Sequence, residues 1–261
     1  MQKTVVLLAA AILTACGQAT DEKQVAEPAA EPQSIYAAAV ANDARLAQDR
    51  ARDSARKPAE VLEFLGIAEN TTVLDMFSGG GYYSEILASL VGAGGKVIAH
   101  SNEAYLAFVG EEFNARYEGN RLPNVEILMA ENNELSLAPG SLDAIMLVLS
   151  YHDFFNDDAE NGWPLIDVPA LLQEFHNGLK PGGIVGVIDH YAEAGAPAET
   201  GNTLHRIDPA IVVAGMEAAG FVLEEQSDLL RNPDDDLGRT VFDPELRGKT
   251  DRFLMRFRKP E

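Results

Sequence analysis

The sequence predicts an α/β fold: a seven-stranded, mostly parallel sheet with an antiparallel last strand and helices on both faces. Short apolar segments alternate with helical ones from residue 72 onward, which is typical of parallel strands joined by helices. Three consecutive glycines directly after the first apolar segment indicate a tight strand-to-helix turn. Only a polar connection, residues 228–250, separates the last two predicted strands, and such a connection permits the last strand to run antiparallel.

The predicted strands are short runs rich in apolar residues, which lie at residues 72–76, 96–100, 125–129, 142–149, 183–189, 221–227 and 251–258. Helices are predicted in most of the gaps, at residues 82–90, 105–117, 168–179 and 209–219. Ahead of the first strand, residues 37–65 have a helical composition that is interrupted at Pro58. Residues 37–261 are therefore expected to form one domain of ordinary size.

The first fifteen residues resemble a bacterial lipoprotein signal peptide. Lys3 precedes an apolar segment, residues 5–13, that is too short to span a bilayer stably. Residues 13–16 resemble a lipobox, in which the cysteine is lipidated and becomes the new N-terminus, and Cys16 is the only cysteine in the chain. We expect lipidation of Cys16 and a location in the cell envelope, facing the periplasm. Gly17 favours the outer membrane by resemblance to lipoprotein sorting rules, and a plain secretory signal or a misplaced start codon is the alternative.

Residues 16–36 are rich in Ala, Glu, Pro and Gln without an apolar period, which is typical of a flexible tether. The whole chain carries 41 acidic against 20 basic residues, a formal charge of −21. Such a surface repels phosphate backbones and anionic headgroups. We therefore expect no nucleic-acid partner, a membrane contact only through the lipid, and a small molecule as substrate.

The segment 72–83 is the strongest sign of a ligand site. Its strand brings Asp75 to the carboxyl edge of the sheet, where ligands of open α/β sheets bind. Gly79, Gly80 and Gly81 allow backbone to approach a ligand, and the helix that follows offers free N–H groups to an anion. The dinucleotide fingerprint of nicotinamide enzymes requires glycine where this chain has Ser84. The spacing instead suits a ligand with hydroxyls and an amino-acid tail, such as S-adenosylmethionine; an ordinary tight turn is the alternative.

Several further segments, in the same order along the chain, resemble class I S-adenosylmethionine-dependent methyltransferases. Residues 140–145 and 179–183 match turns that are widespread before the fourth and fifth strands of that superfamily. A closer similarity is to a group of predicted, often exported bacterial methyltransferases of undefined substrate. It is carried by residues 52–58, 151–153, 189–190, 204–208 and 228–253 and covers roughly residues 50–259.

The resemblance implies a Rossmann-like sheet with S-adenosylmethionine as cofactor. It implies that Asp75 anchors the methionine end and that Gly79, Gly80 and Gly81 give backbone contacts. Phe77 occupies the place of the superfamily's first glycine, where a phenyl ring could crowd the cofactor or pack beneath it.

The resemblance also implies that residues at the ends of the second and third strands bind the nucleoside end of the cofactor. Asn102 or Glu103 takes the place of the acid that usually binds the ribose hydroxyls. Glu131 and Asn132 fall where an acid and its neighbour meet the adenine.

The end of the fourth strand faces the methyl group in this architecture, and residues 150–154 (Ser-Tyr-His-Asp-Phe) lie there. His152 is a candidate general base for a hydroxyl or amine acceptor. Asp153 is a candidate for orienting His152 or for contacting the substrate. The alternative is that both residues only hold the strand end and the following loop.

No metal is expected, because the five histidines include no pair at a zinc-ligand spacing and residues 232–243 lack the glycine of a calcium loop. The sequence therefore predicts methyl transfer from S-adenosylmethionine to an unidentified small-molecule acceptor. The alternative function is a non-catalytic envelope lipoprotein that retains a methyltransferase fold. The sequence carries no signal for the oligomeric state.

Overall fold

The computed structural model describes residues 34–261. The expected signal peptide, Cys16 and nearly all of the expected tether lie outside the described residues. Among those that are described, every helix is too short or too polar to span a bilayer.

Four short helices precede the sheet: α1 (Ile35–Val40), α2 (Ala47–Arg50), α3 (Asp53–Arg56) and α4 (Pro58–Leu65). The predicted interruption at Pro58 is confirmed, because α3 ends just before it. Pro58 itself is the first residue of α4, where its missing N–H costs no helical hydrogen bond.

The seven strands are β1 (Thr72–Met76), β2 (Lys96–Ser101), β3 (Val125–Met129), β4 (Leu142–Val148), β5 (Leu179–His190), β6 (Val222–Ser227) and β7 (Arg252–Arg258). Their order across the sheet is β3-β2-β1-β4-β5-β7-β6. The first five strands in this order pair in parallel, whereas β7 runs antiparallel to both β5 and β6. This arrangement confirms the predicted fold class.

The connecting helices are α5 (Tyr82–Val91), α6 (Glu103–Tyr117), α7 (Val168–Gly178), α8 (Thr200–Leu204) and α9 (Pro209–Ala218). The short helix α8 was not predicted, because its five residues carry no apolar period. Strand β5 begins four residues before its predicted start, since Leu179 already pairs with Leu142 of β4.

Buried side chains cover both faces of the sheet, as the alternation along β1 requires. Val73 points into a cluster with Leu62 of α4 and Ile86 of α5. Leu74 points to the opposite face, into the cluster that contains Phe175 of α7 and Met216 of α9. With both faces packed, ligands reach the sheet at its edges, and the carboxyl ends of β1, β2, β4 and β5 meet at one of them.

Candidate functional site

The loop after β1 has backbone that favours glycine at three alternate positions. The φ angles are +51° at Phe77, +56° at Gly79 and +78° at Gly81. An L side chain at positive φ is strained, so Phe77 holds a conformation that glycine would adopt without cost. The loop therefore has the backbone shape of a turn with glycine at positions 77, 79 and 81, although position 77 is phenylalanine.

The three glycines of this loop meet different surroundings. A Cβ at Gly79 would find no atom within 4 Å, whereas one at Gly80 would clash with the Glu112 carboxylate on α6. A Cβ at Gly81 would lie 2.8 Å from the Tyr117 hydroxyl, also closer than van der Waals contact allows. Gly79 and Gly80 line the large cleft described below, whereas Gly81 is not among its lining residues. The space beside Gly79 is open to a ligand, while Gly80 and Gly81 also allow α6 to pack closely.

Asp75 lies at the end of β1 and is almost fully buried, with 2% of its surface exposed. The Ser84 hydroxyl donates a hydrogen bond of 2.6 Å to its carboxylate. Burial raises the pKa of Asp75 to about 6, against which the hydrogen bonds from Ser84 act. Asp75 also lines the cleft, so its carboxylate stands where the sequence predicts a ligand contact.

A buried histidine joins the carboxyl ends of β1, β2 and β3. His100 accepts a hydrogen bond from the Phe77 N–H (3.4 Å), and its Nε2 lies 3.0 Å from the Ala130 carbonyl, to which it donates. Burial lowers the pKa of His100 to about 4, so the ring is neutral and serves both contacts. His100 is therefore explained as a structural residue that fixes the strand ends.

Of the residues predicted to meet the nucleoside, Asn102, Glu131 and Asn132 line a cavity of about 220 Å³, and Glu103 is not among its lining residues. The Asn102 Nδ2 donates to the Asn132 Oδ1 (3.0 Å), and the Asn102 Oδ1 accepts from the Tyr105 N–H (2.8 Å). The Glu103 N–H donates to the Glu131 carboxylate. Among the residues that the structure describes, the buried Asn132 Nδ2 has no hydrogen-bond partner, and Asn132 lines this cavity.

A larger cleft of about 670 Å³ lies beside it at the same sheet edge. One part of its lining comes from the β1 loop, with Asp75, Phe77 and Gly79. Another part contains the candidate catalytic residues, His152 and Asp153. The fold thus brings Asp75, Gly79 and Gly80, which are predicted to contact the methionine end, into one cavity with His152 and Asp153.

An aromatic group lies between the two cavities. The rings of Phe77 and Tyr105 are stacked, with centroids 4.5 Å apart and an interplanar angle of 17°. The Tyr105 hydroxyl donates to the Asp153 Oδ2 (2.9 Å), so this side chain reaches from α6 to the end of β4. Trp163 packs edge-on against Tyr105 at 5.5 Å and lines both cavities. The predicted cofactor-binding residues of β1 and the loop after it, except Gly81, therefore line the large cleft, whereas Asn102, Glu131 and Asn132 line the smaller cavity, and Trp163 lines both.

His152 is oriented by Asp189, the last residue but one of β5, and not by its neighbour Asp153. The His152 ring Nδ1 lies 2.8 Å from the Asp189 Oδ1, and the backbone N–H of His152 donates to the Asp189 Oδ2 (2.9 Å). The Asp153 Oδ1 lies 3.3 Å from the other ring nitrogen, Nε2. Burial alone would lower the pKa of His152, but the charges of Asp189 and Asp153 outweigh it and raise that pKa to about 9. Sequence adjacency favoured Asp153 as the orienting residue, whereas the pairing of β4 with β5 supplies Asp189 from 37 residues away.

Two arginines of the N-terminal helices line another part of the cleft. The Arg56 guanidinium lies 4.7 Å from the centre of the Tyr82 ring. Within residues 34–261 no carboxylate forms an ion pair with Arg56, whereas Arg52 pairs with Asp49. Burial lowers the pKa of Arg56, and the positive charge of Arg52 adds to this effect. Residues 52–58 stood out in the sequence only as part of a resemblance, and nothing there indicated that Arg56 faces a cleft.

Comparisons with known proteins show which family profile and which solved structures this chain resembles. The sequence profile of the protein-L-isoaspartate(D-aspartate) O-methyltransferase family matches residues 29–133, less than half of the chain. A search of curated protein sequences finds no significant match.

Three solved structures illustrate the similarity of fold. An S-adenosylmethionine-dependent methyltransferase from Aquifex aeolicus is 23% identical, with a TM-score of 0.53 over 80% of this chain and 98% of that one. One from Mesorhizobium loti is 15% identical, with a TM-score of 0.55 over 79% and 99%. The [4+2]-cyclase SpnF is 17% identical, with a TM-score of 0.51 over 84% and 85%. A shared fold therefore includes proteins of different chemistry.

Proposed function

We propose that this chain, which has the fold of class I S-adenosylmethionine-dependent methyltransferases, transfers a methyl group from S-adenosylmethionine to a small-molecule acceptor. The observation that carries the proposal is the large cleft, whose lining joins Asp75 and Gly79 to His152 and Asp153. A cofactor beside the glycine loop and an acceptor beside His152 would share this cleft. The sulfonium of the cofactor supplies an activated methyl group, so the chain needs mainly to align the acceptor and to manage its proton.

The methionine half of the cofactor fits the β1 end of the cleft. Gly79 leaves open space there, and Asp75 offers a carboxylate to the ammonium group. Arg56 offers a cation that lacks a carboxylate partner among the described residues, and a methionine carboxylate would supply one.

The adenine half fits the smaller cavity. The unpaired Asn132 Nδ2 is a donor that a ring nitrogen of adenine would satisfy, and the Glu131 carboxylate can accept from the exocyclic amine. The nucleoside must pass between the two cavities, where Tyr105 is stacked on Phe77. Both ends of the cofactor therefore fit, provided that the Tyr105 side chain turns away from Phe77 when the cofactor binds.

The acceptor is assigned to the part of the cleft beside His152. If the acceptor is a hydroxyl or amine, its proton passes to the His152 Nε2 of the neutral ring, because the Nδ1 is engaged by Asp189. The raised pKa of about 9 makes this neutral ring the minor form at neutral pH. Asp189 stabilises the positive charge that the ring then carries. Asp153 lies within 3.3 Å of the same Nε2 and can hold the acceptor in position.

Calorimetry with S-adenosylmethionine and S-adenosylhomocysteine tests the proposal. The wild type should bind both compounds, and Arg56→Gln should weaken both by about 10- to 100-fold, since a charge-assisted hydrogen bond contributes about 1.5–3 kcal/mol. Arg56→Lys, which keeps the charge, should recover part of the loss. Equal affinities in the wild type and Arg56→Gln would reject only the role proposed for Arg56, and not cofactor binding itself. Absence of any binding below millimolar concentration would reject the enzyme and favour the non-catalytic alternative.

Phe77→Gly should bind S-adenosylmethionine more tightly than the wild type, because it removes the ring on which Tyr105 stacks. The same variant should lose about 2–4 kcal/mol of unfolding free energy: the loss of a buried phenyl costs about 3–5 kcal/mol, and relief of the positive φ returns about 1 kcal/mol. Calorimetry and urea unfolding measure the two effects.

Phe77→Ala is the matched control, since it also removes the ring but keeps a side chain at positive φ. It should be about 1 kcal/mol less stable than Phe77→Gly. Weaker cofactor binding in both variants would mean that the ring packs beneath the cofactor and supports it.

A further inference from the structure

The cleft contains a cluster of metal-ligating side chains that the proposed methyl transfer does not by itself require. His152, Asp153 and His205 each direct one ligand atom towards the others, and these three atoms lie within 4.8 Å of one another. We propose that this cluster binds one divalent transition-metal ion. The sequence predicts no metal site, because His205 lies far from His152 along the chain and is brought to the end of β4 by α8.

The distances suit a single ion. Two ligand atoms that each bind a metal at about 2.1 Å are at most about 4.2 Å apart. The Asp153 Oδ1 lies 3.3 Å from the His152 Nε2 and 3.9 Å from the His205 Nδ1, so both pairs already fit. The remaining separation, between the two histidine nitrogens, is at most 4.8 Å and so lies no more than about 0.6 Å above the limit. His205 is half-buried at the end of α8, so a small rotation of its side chain can close this gap.

The side chains that hydrogen-bond to His152 and Asp153 are of the kind that orient metal ligands in proteins. The His152 Nδ1 is held by Asp189 at 2.8 Å, which leaves the Nε2 for the metal. The Asp153 Oδ2 accepts from the Tyr105 hydroxyl at 2.9 Å, which leaves the Oδ1 for the metal. A ligand histidine backed by a carboxylate is a recurring arrangement at metal centres.

The charges of the cluster also favour a cation. Asp153 and Asp189 are both buried and lie on opposite sides of the His152 ring. One imidazolium balances only one of these two carboxylates, whereas a divalent ion balances both. Buried carboxylates without a compensating cation are costly.

The donor set indicates the kind of ion. Two imidazole nitrogens and one carboxylate favour Zn²⁺, Co²⁺, Ni²⁺ or Fe²⁺ over Mg²⁺ and Ca²⁺, which prefer oxygen donors. Three protein ligands leave coordination positions open, and all three ligands line the large cleft. If the proposed function holds, an acceptor with a hydroxyl or thiol group can bind there and lose its proton more readily. That last step rests on the proposed function; the metal site itself does not.

The test uses the full chain without a histidine tag, stripped with a chelator and titrated with Co²⁺, whose visible absorption reports its ligands, and with Zn²⁺ by calorimetry. The wild type should bind one ion per chain and should bind Mg²⁺ far more weakly. His205→Ala and Asp153→Asn should each weaken Co²⁺ binding by at least about 100-fold, and Asp189→Asn by about 10- to 100-fold. His176→Ala, which removes a histidine packed against Phe221 outside the cluster, should bind Co²⁺ like the wild type.

Absence of one-to-one Co²⁺ binding in the wild type, or unchanged affinity in both His205→Ala and Asp153→Asn, would overturn the proposal. Melting temperatures show that each variant is folded, and the His205 side chain is exposed enough for its replacement to be tolerated. S-adenosylmethionine calorimetry on His205→Ala separates the two proposals. A variant that keeps cofactor binding and loses Co²⁺ supports the metal site, whereas a wild type that binds Co²⁺ but no cofactor rejects only the proposed function.

Discussion

Arg116→Ala should lower the free energy of unfolding by up to about 3–5 kcal/mol, because it removes the buried cation that two buried carboxylates share and leaves them only the more exposed Arg52 and Arg121. Arg116 is fully buried in α6 and forms ion pairs with Asp49 of α2 and Glu85 of α5. Burial opposes the charge of Asp49, but hydrogen bonds from Arg116 and Arg52 hold the pKa of Asp49 below its usual value. Urea unfolding of the wild type and the variant measures the loss.

The same substitution should loosen the glycine loop, since the Arg116 Nε donates to the Gly80 carbonyl at 2.8 Å. Cofactor affinity should therefore fall together with stability. Lys96→Ala is the control: Lys96 pairs with Glu126 at the surface, and such a pair contributes at most about 1 kcal/mol. If Arg116→Ala costs no more than Lys96→Ala, the buried ion pairs do not hold the loop.

The parts of the structure that were predictable are those encoded locally. Strands β1 and β3 have the predicted bounds, because each is a short run rich in apolar residues between polar segments. The position of Asp75 at the carboxyl edge followed from its place at the end of β1. Gly79 followed similarly, since a strand-to-helix turn of this spacing requires positive φ.

The parts that were not predictable depend on contacts between distant segments. Arg116 and Tyr105 are ordinary members of a predicted helix until α6 packs over the glycine loop. Asp189 becomes the partner of His152 only because β5 pairs with β4. No local pattern distinguishes such residues from solvated polar ones, so the aromatic group between the two cavities and the His152–Asp153–His205 cluster required the fold.

His152→Ala should reduce methyl transfer by about 10²- to 10⁴-fold, the usual contribution of a group that handles a proton in the transition state. Cofactor affinity should change little, because His152 lies at the end of β4 and the methionine and adenine contacts come from other strand ends. S-adenosylhomocysteine formation measures turnover, with small phenols, amines, thiols and carboxylic acids as trial acceptors. His176→Ala makes the same chemical change outside the cleft and should leave turnover unchanged.

Unchanged turnover in His152→Ala would remove this residue from the chemistry. A loss of turnover is expected whether the ring accepts the acceptor's proton or ligates a metal ion, and a chelator separates these roles. Wild-type turnover that survives chelation requires the imidazole itself to act as the base, with Asp189 holding the Nδ1. Turnover that is lost on chelation and returns with Zn²⁺ or Co²⁺ assigns His152 to the metal site, and His205→Ala should then lose turnover to a similar extent, because both rings hold the same ion.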